Sequence, residues 1–248
     1  MWTALFIIGA YLLGAVPFGL LIGLARGVDI RQHGSRNIGA TNAGRVLGRG
    51  WGFLCLALDI LKGLAPTLAA SFVLVRRPTD PAMLLGWIGV GLAAVLGHVF
   101  PIYLRFRGGK GVATTIGVAL GIFPYYTIAM AAALVLYAVV RFSSGMVSLG
   151  SLTIAVAFPT AFFVFVGLDP ALSVYDTWPL GCVCVLLGLL IVLRHSGNIA
   201  RLLKGEESKV GRASESVNKA TFQGGADVPP AGSDFEHEHS SETPGQPV

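Results

Sequence analysis

Charge is scarce in this sequence. Asp, Glu, Lys and Arg supply 12% of its 248 residues, about half the share of a water-soluble domain. With 54% hydrophobic residues and a mean hydropathy of +0.70, the chain reads as one whose solvent is mostly lipid. Acidic residues are rarer still: before residue 211 there are seven, Asp29, Asp59, Asp80, Asp169, Asp176, Glu206 and Glu207. They form no cluster able to hold Mg²⁺, which argues against metal-dependent phosphotransfer, so no metal is expected. Cysteine is limited to Cys55, Cys182 and Cys184, all in apolar runs. Their spacing suits neither a disulfide framework nor a metal site, and all three are expected to be buried packing residues. The first apolar run has no basic segment before it and no small-x-small cleavage site, so it is read as a retained span and not as a signal peptide.

What is present is a series of apolar runs at 2–25, 51–75, 83–104, 112–140, 145–167 and 178–193. A single crossing needs roughly 20 apolar residues, so the fourth run is too long for one crossing and too short for two. Basic residues gather as Arg26, Arg31, Arg36, Arg45 and Arg49, then Arg105, Arg107 and Lys110, then Arg194, Arg201, Lys204 and Lys209. If all three groups face the cytoplasm, an even number of crossings separates Lys110 from Arg194. The fourth run must then break, and Phe123-Pro124 is the place, because proline lacks an N–H and disfavours helix in the residue before it. The expected fold is an all-α membrane protein with seven membrane-embedded helices. The helix after Lys110, 112–122, is a partial span of only about 17 Å; the next is expected at 124–140, followed by a short inner turn carrying Arg141. The N-terminus lies outside, with Arg76-Arg77 a basic exception on that face. Residues 1–210 form the membrane domain. Residues 211–248, rich in Ser, Gly, Pro and Glu, form a disordered polar tail in which His237 and His239 carry no assigned chemistry.

Three polar islands interrupt the apolar runs. Residues 33–45 combine Ser35, Asn37, Thr41, Asn42, Arg36 and Arg45, donors suited to an anion, although a flexible connection with helix-cap residues has a similar composition. Residues 97–114 hold three cations and Gly108-Gly109-Lys110-Gly111. Glycine backbones can converge N–H groups on a phosphate, and a helix starting near Val112 would add its positive end. Lys110 is followed by Gly111, not Ser or Thr, which argues against a nucleotide P-loop. His98, near a span end, could be a satisfied interfacial histidine. The third island, 194–209, places His195 three residues before Asn198, and Arg194, Asn198 and Arg201 at spacings that a continuing helix would bring to neighbouring faces. A basic segment that binds anionic lipid has the same composition. Inside the second span, Asp59 and Lys62 share a helical face, where an inward-facing pair offsets the cost of membrane charge.

The chain lacks a His-x4-Asp pair and a Gly-x-Ser-x-Gly elbow, which argues against soluble-donor glycerolipid acyltransferases and serine acyl-enzymes. The three islands together resemble the bacterial membrane acyl-phosphate:glycerol-3-phosphate acyltransferases, the PlsY family. The resemblance rests on Gly34-Ser35-Arg36-Asn37-Ile38-Gly39-Ala40-Thr41-Asn42, on Gly97-His98-Val99-Phe100-Pro101 with Gly108-Gly109-Lys110-Gly111-Val112-Ala113-Thr114, and on Arg194-His195 with Asn198-Ile199 and Arg201-Leu202. Asp59-Ile60-Leu61-Lys62-Gly63 resembles a weaker fourth element. Arg36 stands where the family pattern has Gly or Lys, and Ser196-Gly197 is looser than the pattern before Asn198.

The resemblance implies transfer of an acyl chain from acyl phosphate to the 1-hydroxyl of glycerol 3-phosphate, at the cytoplasmic face of the plasma membrane. It implies a monomer with membrane lipid around it, no cofactor and no nucleic-acid partner. Ser35, Lys110 and His195 become the expected catalytic residues. Acyl phosphate is expected on Ser35, Asn37, Gly39, Thr41, Asn42, Gly108, Gly109, Lys110 and Gly111, and glycerol 3-phosphate on Arg45, His195, Asn198 and Arg201. The proton acceptor is either His195 or a substrate phosphate, whose second pKa is about 6; the lack of a nearby carboxylate in sequence to orient His195 favours the phosphate. A basic membrane cavity beside a half-length helix also suits a transporter or flippase of an organophosphate or lysolipid.

Overall fold

A computed structural model describes residues 2–75 and 81–209. Expectations for 211–248 and for Arg76-Arg77 lie outside the described residues. The described residues form α1 (Trp2–Gly14), α2 (Phe18–Ala25), α3 (Ala40–Val46), α4 (Arg49–Leu74) and α5 (Pro81–Val99). After a 3₁₀ turn at Ile102–Leu104 come α6 (Val112–Gly121), α7 (Tyr125–Ser144), α8 (Val147–Leu168), α9 (Val174–Arg194) and α10 (Ser196–Leu203). Six stretches are long and apolar enough to cross a membrane, with α6 a shorter apolar helix. Their outward surface is apolar too: Phe72 and Phe142 are 81% and 82% exposed, a placement that lipid, and not water, favours.

The break at Phe123-Pro124 falls between α6 and α7, as the parity of the basic loops requires. A ten-residue helix cannot span a bilayer, and α6 is instead enclosed, with Thr114, Thr115, Gly117, Val118, Ala119 and Gly121 buried. It lies against α4 at backbone distance. A Cβ at Gly63 would meet the Thr114 carbonyl, and one at Gly117 would meet the Ile60 carbonyl. Two glycines facing each other's helix thus allow the approach, as small residues do in membrane bundles. Further along, Tyr126 packs edge-on against Phe158 and Phe162 at 5.1 and 5.6 Å between centroids. Its buried hydroxyl donates to the Leu180 carbonyl at 2.5 Å, so the core's polar tip is satisfied.

Three expectations need correction. Residues 2–25 are not one helix: the chain breaks between α1 and α2 at Ala15, Val16 and Pro17, because Pro17 cannot donate and Val16 precedes it. The Val16 carbonyl freed by the break accepts from Lys62 Nζ at 2.9 Å. Cys182 is exposed on the bundle surface while Cys55 and Cys184 are buried. Arg141 belongs to the last turn of α7, and the chain turns afterwards at Gly145, held left-handed at φ 76°.

Candidate active site

The first island is a loop organised by one amide. Asn42, 1% exposed, donates Nδ2–H to the carbonyls of Ile30 at 2.9 Å and His33 at 3.2 Å, while its Oδ1 accepts from the Ser35 N–H at 2.8 Å. Gly34 lies directly over that amide at φ 58°, where a Cβ would strike Asn42 Oδ1. Asn37 Oδ1 accepts from the Gly39 N–H at 2.9 Å. Asn42 and the Gly39 N–H therefore shape the loop and are not free to hold a phosphate, contrary to the sequence expectation. The Ser35 hydroxyl is exposed and has no protein partner among the described residues, and Thr41 is exposed in the first turn of α3. The side chain of Arg45, half-buried in the last turn of α3, likewise makes no hydrogen bond or ion pair among the described residues.

The glycine turn of the second island also has a different use from the one expected. The N–H of Gly108 donates to the Val99 carbonyl at 3.2 Å and that of Gly109 to the His98 carbonyl at 3.0 Å, so both close the open carbonyl end of α5. A Cβ at Gly108 would meet the His98 carbonyl and Pro101, and one at Gly109 would meet the His98 imidazole. These glycines permit close packing on α5 and do not aim N–H groups at an anion. Gly111, left-handed at φ 85°, caps α6, whose opening N–H groups have no acceptor within the helix.

Below the turn, Lys62 and Asp59 form a buried pair at 2.7 Å, each side chain 2% exposed. Buried His98 stands with Nδ1 3.7 Å from Asp59 Oδ1. The pair faces inward, as expected.

The third island closes over the second. Arg194, the last residue of α9, donates Nε–H to the Gly109 carbonyl at 3.3 Å and Nη2–H to the Gly108 carbonyl at 3.1 Å. The expected continuous helix is interrupted at His195 (φ −104°, ψ 10°), and α10 starts at Ser196. Asn198 and Arg201 therefore share α10 while Arg194 does not. Lys110 Nζ donates to Asn198 Oδ1. Asn198 Nδ2–H donates to Glu207 Oε1 at 2.7 Å, and Arg201 Nε–H donates to Glu207 Oε2 at 2.8 Å.

Glu207 is the residue that sequence reasoning missed. It is a carboxylate among cations, and by holding the Asn198 NH₂ it turns the amide oxygen toward Lys110. Burial raises its pKa, but the Ser148 hydroxyl and the Asn198 and Arg201 donors outweigh burial and hold it below the usual carboxylate value. The signal was an acid six residues beyond Arg201 in an otherwise basic stretch.

The electrostatics single out two groups. Burial drives the Lys110 ammonium down to about 8; Glu207 opposes that, while Arg201, Arg45 and Arg194 reinforce it. Arg45, Arg194, Arg201 and Lys110 therefore act on one small volume. His195, 2% exposed, is lowered to about 4 by burial and by the charge of Lys110. Its Nδ1 lies 2.7 Å from the Ile191 carbonyl. A carbonyl only accepts, so Nδ1 carries the proton and Nε2 holds the lone pair. Among the described residues, no three His, Cys, Asp or Glu side chains gather as metal ligands.

A profile of the glycerol-3-phosphate acyltransferase family matches residues 4–205. The glycerol-3-phosphate acyltransferase of Trichlorobacter lovleyi is 43% identical over 204 residues, covering 82% of this chain and 95% of that one. The enzyme of the same name from Bacillus velezensis is 42% identical over 212 residues, covering 85% and 98%. A crystal structure of PlsY, an integral membrane glycerol 3-phosphate acyltransferase in its glycerol 3-phosphate form, superposes with a TM-score of 0.73 at 34% identity, covering 90% of this chain and 100% of that one. Its lysophosphatidic acid form gives 0.71 at 34% identity, covering 88% and 100%. By the extent of these matches, the chain belongs to the glycerol-3-phosphate acyltransferase family.

Proposed function

We propose that this chain moves an acyl group from acyl phosphate to the 1-hydroxyl of glycerol 3-phosphate, releasing 1-acylglycerol 3-phosphate and phosphate. In this reading it works as a monomer, and residues 1–210 form its membrane domain. The three basic islands face the cytoplasm across a bacterial plasma membrane and the N-terminus lies outside, in keeping with the positive-inside rule.

One observation carries the reading: Lys110 meets Asn198 with the guanidiniums of Arg201, Arg45 and Arg194 close enough to shift its titration. An ammonium has three donors; one goes to Asn198 and two remain for phosphate oxygens. Arg45, Arg201 and the second amide hydrogen of Asn198 complete a seat for glycerol 3-phosphate, and Ser35 and Thr41, exposed on the first island, are assigned to the donor as further hydroxyl donors. On the leaving side, Lys110 and the opening turn of α6 stabilise charge as the acyl C–O bond breaks. In the reaction the glycerol oxygen bonds to the acyl carbon, the bond from that carbon to the phosphate oxygen breaks, and the hydroxyl proton passes to phosphate. A phosphate with second pKa about 6 is a better proton acceptor than His195, lowered to about 4. His195 Nε2 instead accepts a hydrogen bond from the hydroxyl and orients it, contributing through effective molarity.

Purified protein in detergent micelles, given acyl phosphate and glycerol 3-phosphate, tests this. Ester and inorganic phosphate should form in equal amounts. A transporter does nothing measurable without two compartments, and folded protein that forms no ester in this assay sinks the proposal.

A further inference from the structure

The last described helix, α10, has two unlike sides. With successive residues turned by about 100°, Leu202, Ile199, Leu203 and Ala200 fall within an arc of about 160° in which Ser196 is the one polar residue. Asn198, Arg201, Gly197 and Lys204 take the rest. The polar side is occupied: Asn198 accepts from Lys110 and, together with Arg201, holds Glu207. On the apolar side Ile199 and Leu202 are only half-buried, Ala200 is exposed and Leu203 is 85% exposed. That side continues a surface already given to lipid. Leu186, Leu189 and Leu193 are exposed along the last turns of α9, whose span ends at Arg194. Run straight on from α9, the chain would carry Leu203 about 14 Å past Arg194, beyond a headgroup layer about 5–7 Å deep and into water. It does not run straight. The helix breaks at His195 (φ −104°, ψ 10°), and Asn198 ties α10 to Lys110, just before the opening of the enclosed helix α6.

We infer that α10 is an interfacial helix, lying along the membrane surface at this end of the bundle with Ile199, Leu202 and Leu203 in the boundary between headgroups and acyl chains. An apolar arc on one side, cations on the other and low overall hydrophobicity are the properties of such helices. Lys204, exposed at the end of α10, can reach lipid phosphates on its flexible stem. The occupant of the apolar arc is lipid and not a second protein: three large side chains fall far short of the area that a stable protein interface buries, and the arc continues the lipid-facing side of α9. Docking also bears on the site, a consequence that rests on glycerol 3-phosphate being the acceptor. Asn198 and Arg201 ride on the other side of the same two turns, so lipid against Leu203 fixes where the seat meets Lys110. Leu203 is then a positioning residue that acts through α10 and touches no substrate.

The test uses the full chain in vesicles of phosphatidylcholine and phosphatidylglycerol, with a nitroxide placed by Leu203→Cys in a Cys182→Ser background, since Cys55 and Cys184 are buried. Collisions with oxygen, which concentrates in lipid, are compared with collisions with a water-soluble nickel chelate. Leu193→Cys supplies the lipid-facing reference and Glu206→Cys the water-facing one. The label at position 203 should match the first, with oxygen dominant. Nickel dominant there, as at position 206, overturns the docking, and low access to both reagents overturns it in favour of a protein partner. No substrate is present, so this reading stands or falls apart from the proposed reaction. Kinetics in the same vesicles test the positioning role. Leu203→Ser should raise the KM for glycerol 3-phosphate at least about threefold with an unchanged melting temperature, because a side chain this exposed contributes little packing within the protein. Leu203→Phe should keep the wild-type KM. An unchanged KM in Leu203→Ser, or a rise matched by a lowered melting temperature, overturns the positioning role.

Discussion

Lys110 should give the reaction an alkaline limb well below the range where lysines usually titrate. Its ammonium is lowered from 10.5 to about 8, first by burial, with Glu207 opposing the shift and Arg201, Arg45 and Arg194 adding to it. At that value about nine-tenths of the side chain is charged at pH 7 and about one-tenth at pH 9. If only the charged form holds the phosphate, kcat/KM for glycerol 3-phosphate falls about tenfold over that interval. The limb in kcat should lie higher, because a bound phosphate dianion favours the ammonium. Glu207 raises the Lys110 pKa and Arg201 lowers it. Glu207→Gln must therefore move the limb down in pH and Arg201→Gln must move it up. Lys110→Arg, charged above pH 12, should abolish the limb while lowering the rate, since a flat fork does not replace a compact ammonium on Asn198. The assay is the initial rate of ester formation from about pH 6 to 10. A limb near pH 8 that survives in Lys110→Arg, or shifts of the same sign in the two neighbour variants, would refute the argument.

Three further outcomes follow from the geometry. His195→Gln should cost less than about tenfold in kcat and leave an acid limb near the phosphate's second pKa of about 6; a loss of 10²–10⁴ would mark a true general base. Asn42→Ala leaves the Ile30 and His33 carbonyls and the Ser35 N–H without their partner, at about 1 kcal/mol for each bond, so it should cost about 3 kcal/mol of stability. A thermal melt checks this, whereas an unchanged melt with a raised acyl phosphate KM would restore Asn42 as a ligand. Gly109→Ala drives a methyl into the His98 ring and should cripple the enzyme, while adding His98→Ala should restore part of the activity by vacating that space.

Much of the fold was legible because membrane crossings are read from length and hydropathy, and the sign of the loops fixes parity. The Phe123-Pro124 break followed from that arithmetic. Pro17 offers the same local signal as Pro124 but sits in a run of normal span length, so nothing in the count of crossings demanded a break there. Its use appears only when Lys62, distant in sequence, is found on the Val16 carbonyl. The site residues divide similarly. Lys110, Asn198, Arg201 and Arg45 could be named because cations and amides near span ends have few other reasons to be there. Gly108, Gly109 and Asn42 were assigned to substrate because glycine and asparagine have two uses, donating to a ligand or fitting a backbone. Only the placement of His98, Val99, Ile30 and His33 decides between them. Glu207 was passed over because sequence spacing alone does not show a carboxylate turning back six residues to hold Arg201 and Asn198.

Two lysines of this chain show how partnering, and not residue type, separates structure from chemistry. Lys62 lies 2.7 Å from Asp59, donates to the Val16 carbonyl at 2.9 Å and lies over the Phe18 ring at 5.6 Å. A charge at the centre of a membrane helix costs about 2.5–3.5 kcal/mol on insertion scales; here a carboxylate one turn away and a carbonyl freed by Pro17 offset it, so little drive remains to bind anything else. Lys110 has one amide oxygen as direct partner, and Arg201, Arg45 and Arg194 all disfavour its charge. Glu207, the carboxylate that favours its charge, is already held by Asn198 and Arg201. Such a cluster is electrostatically incomplete without added negative charge, and a phosphate dianion supplies it.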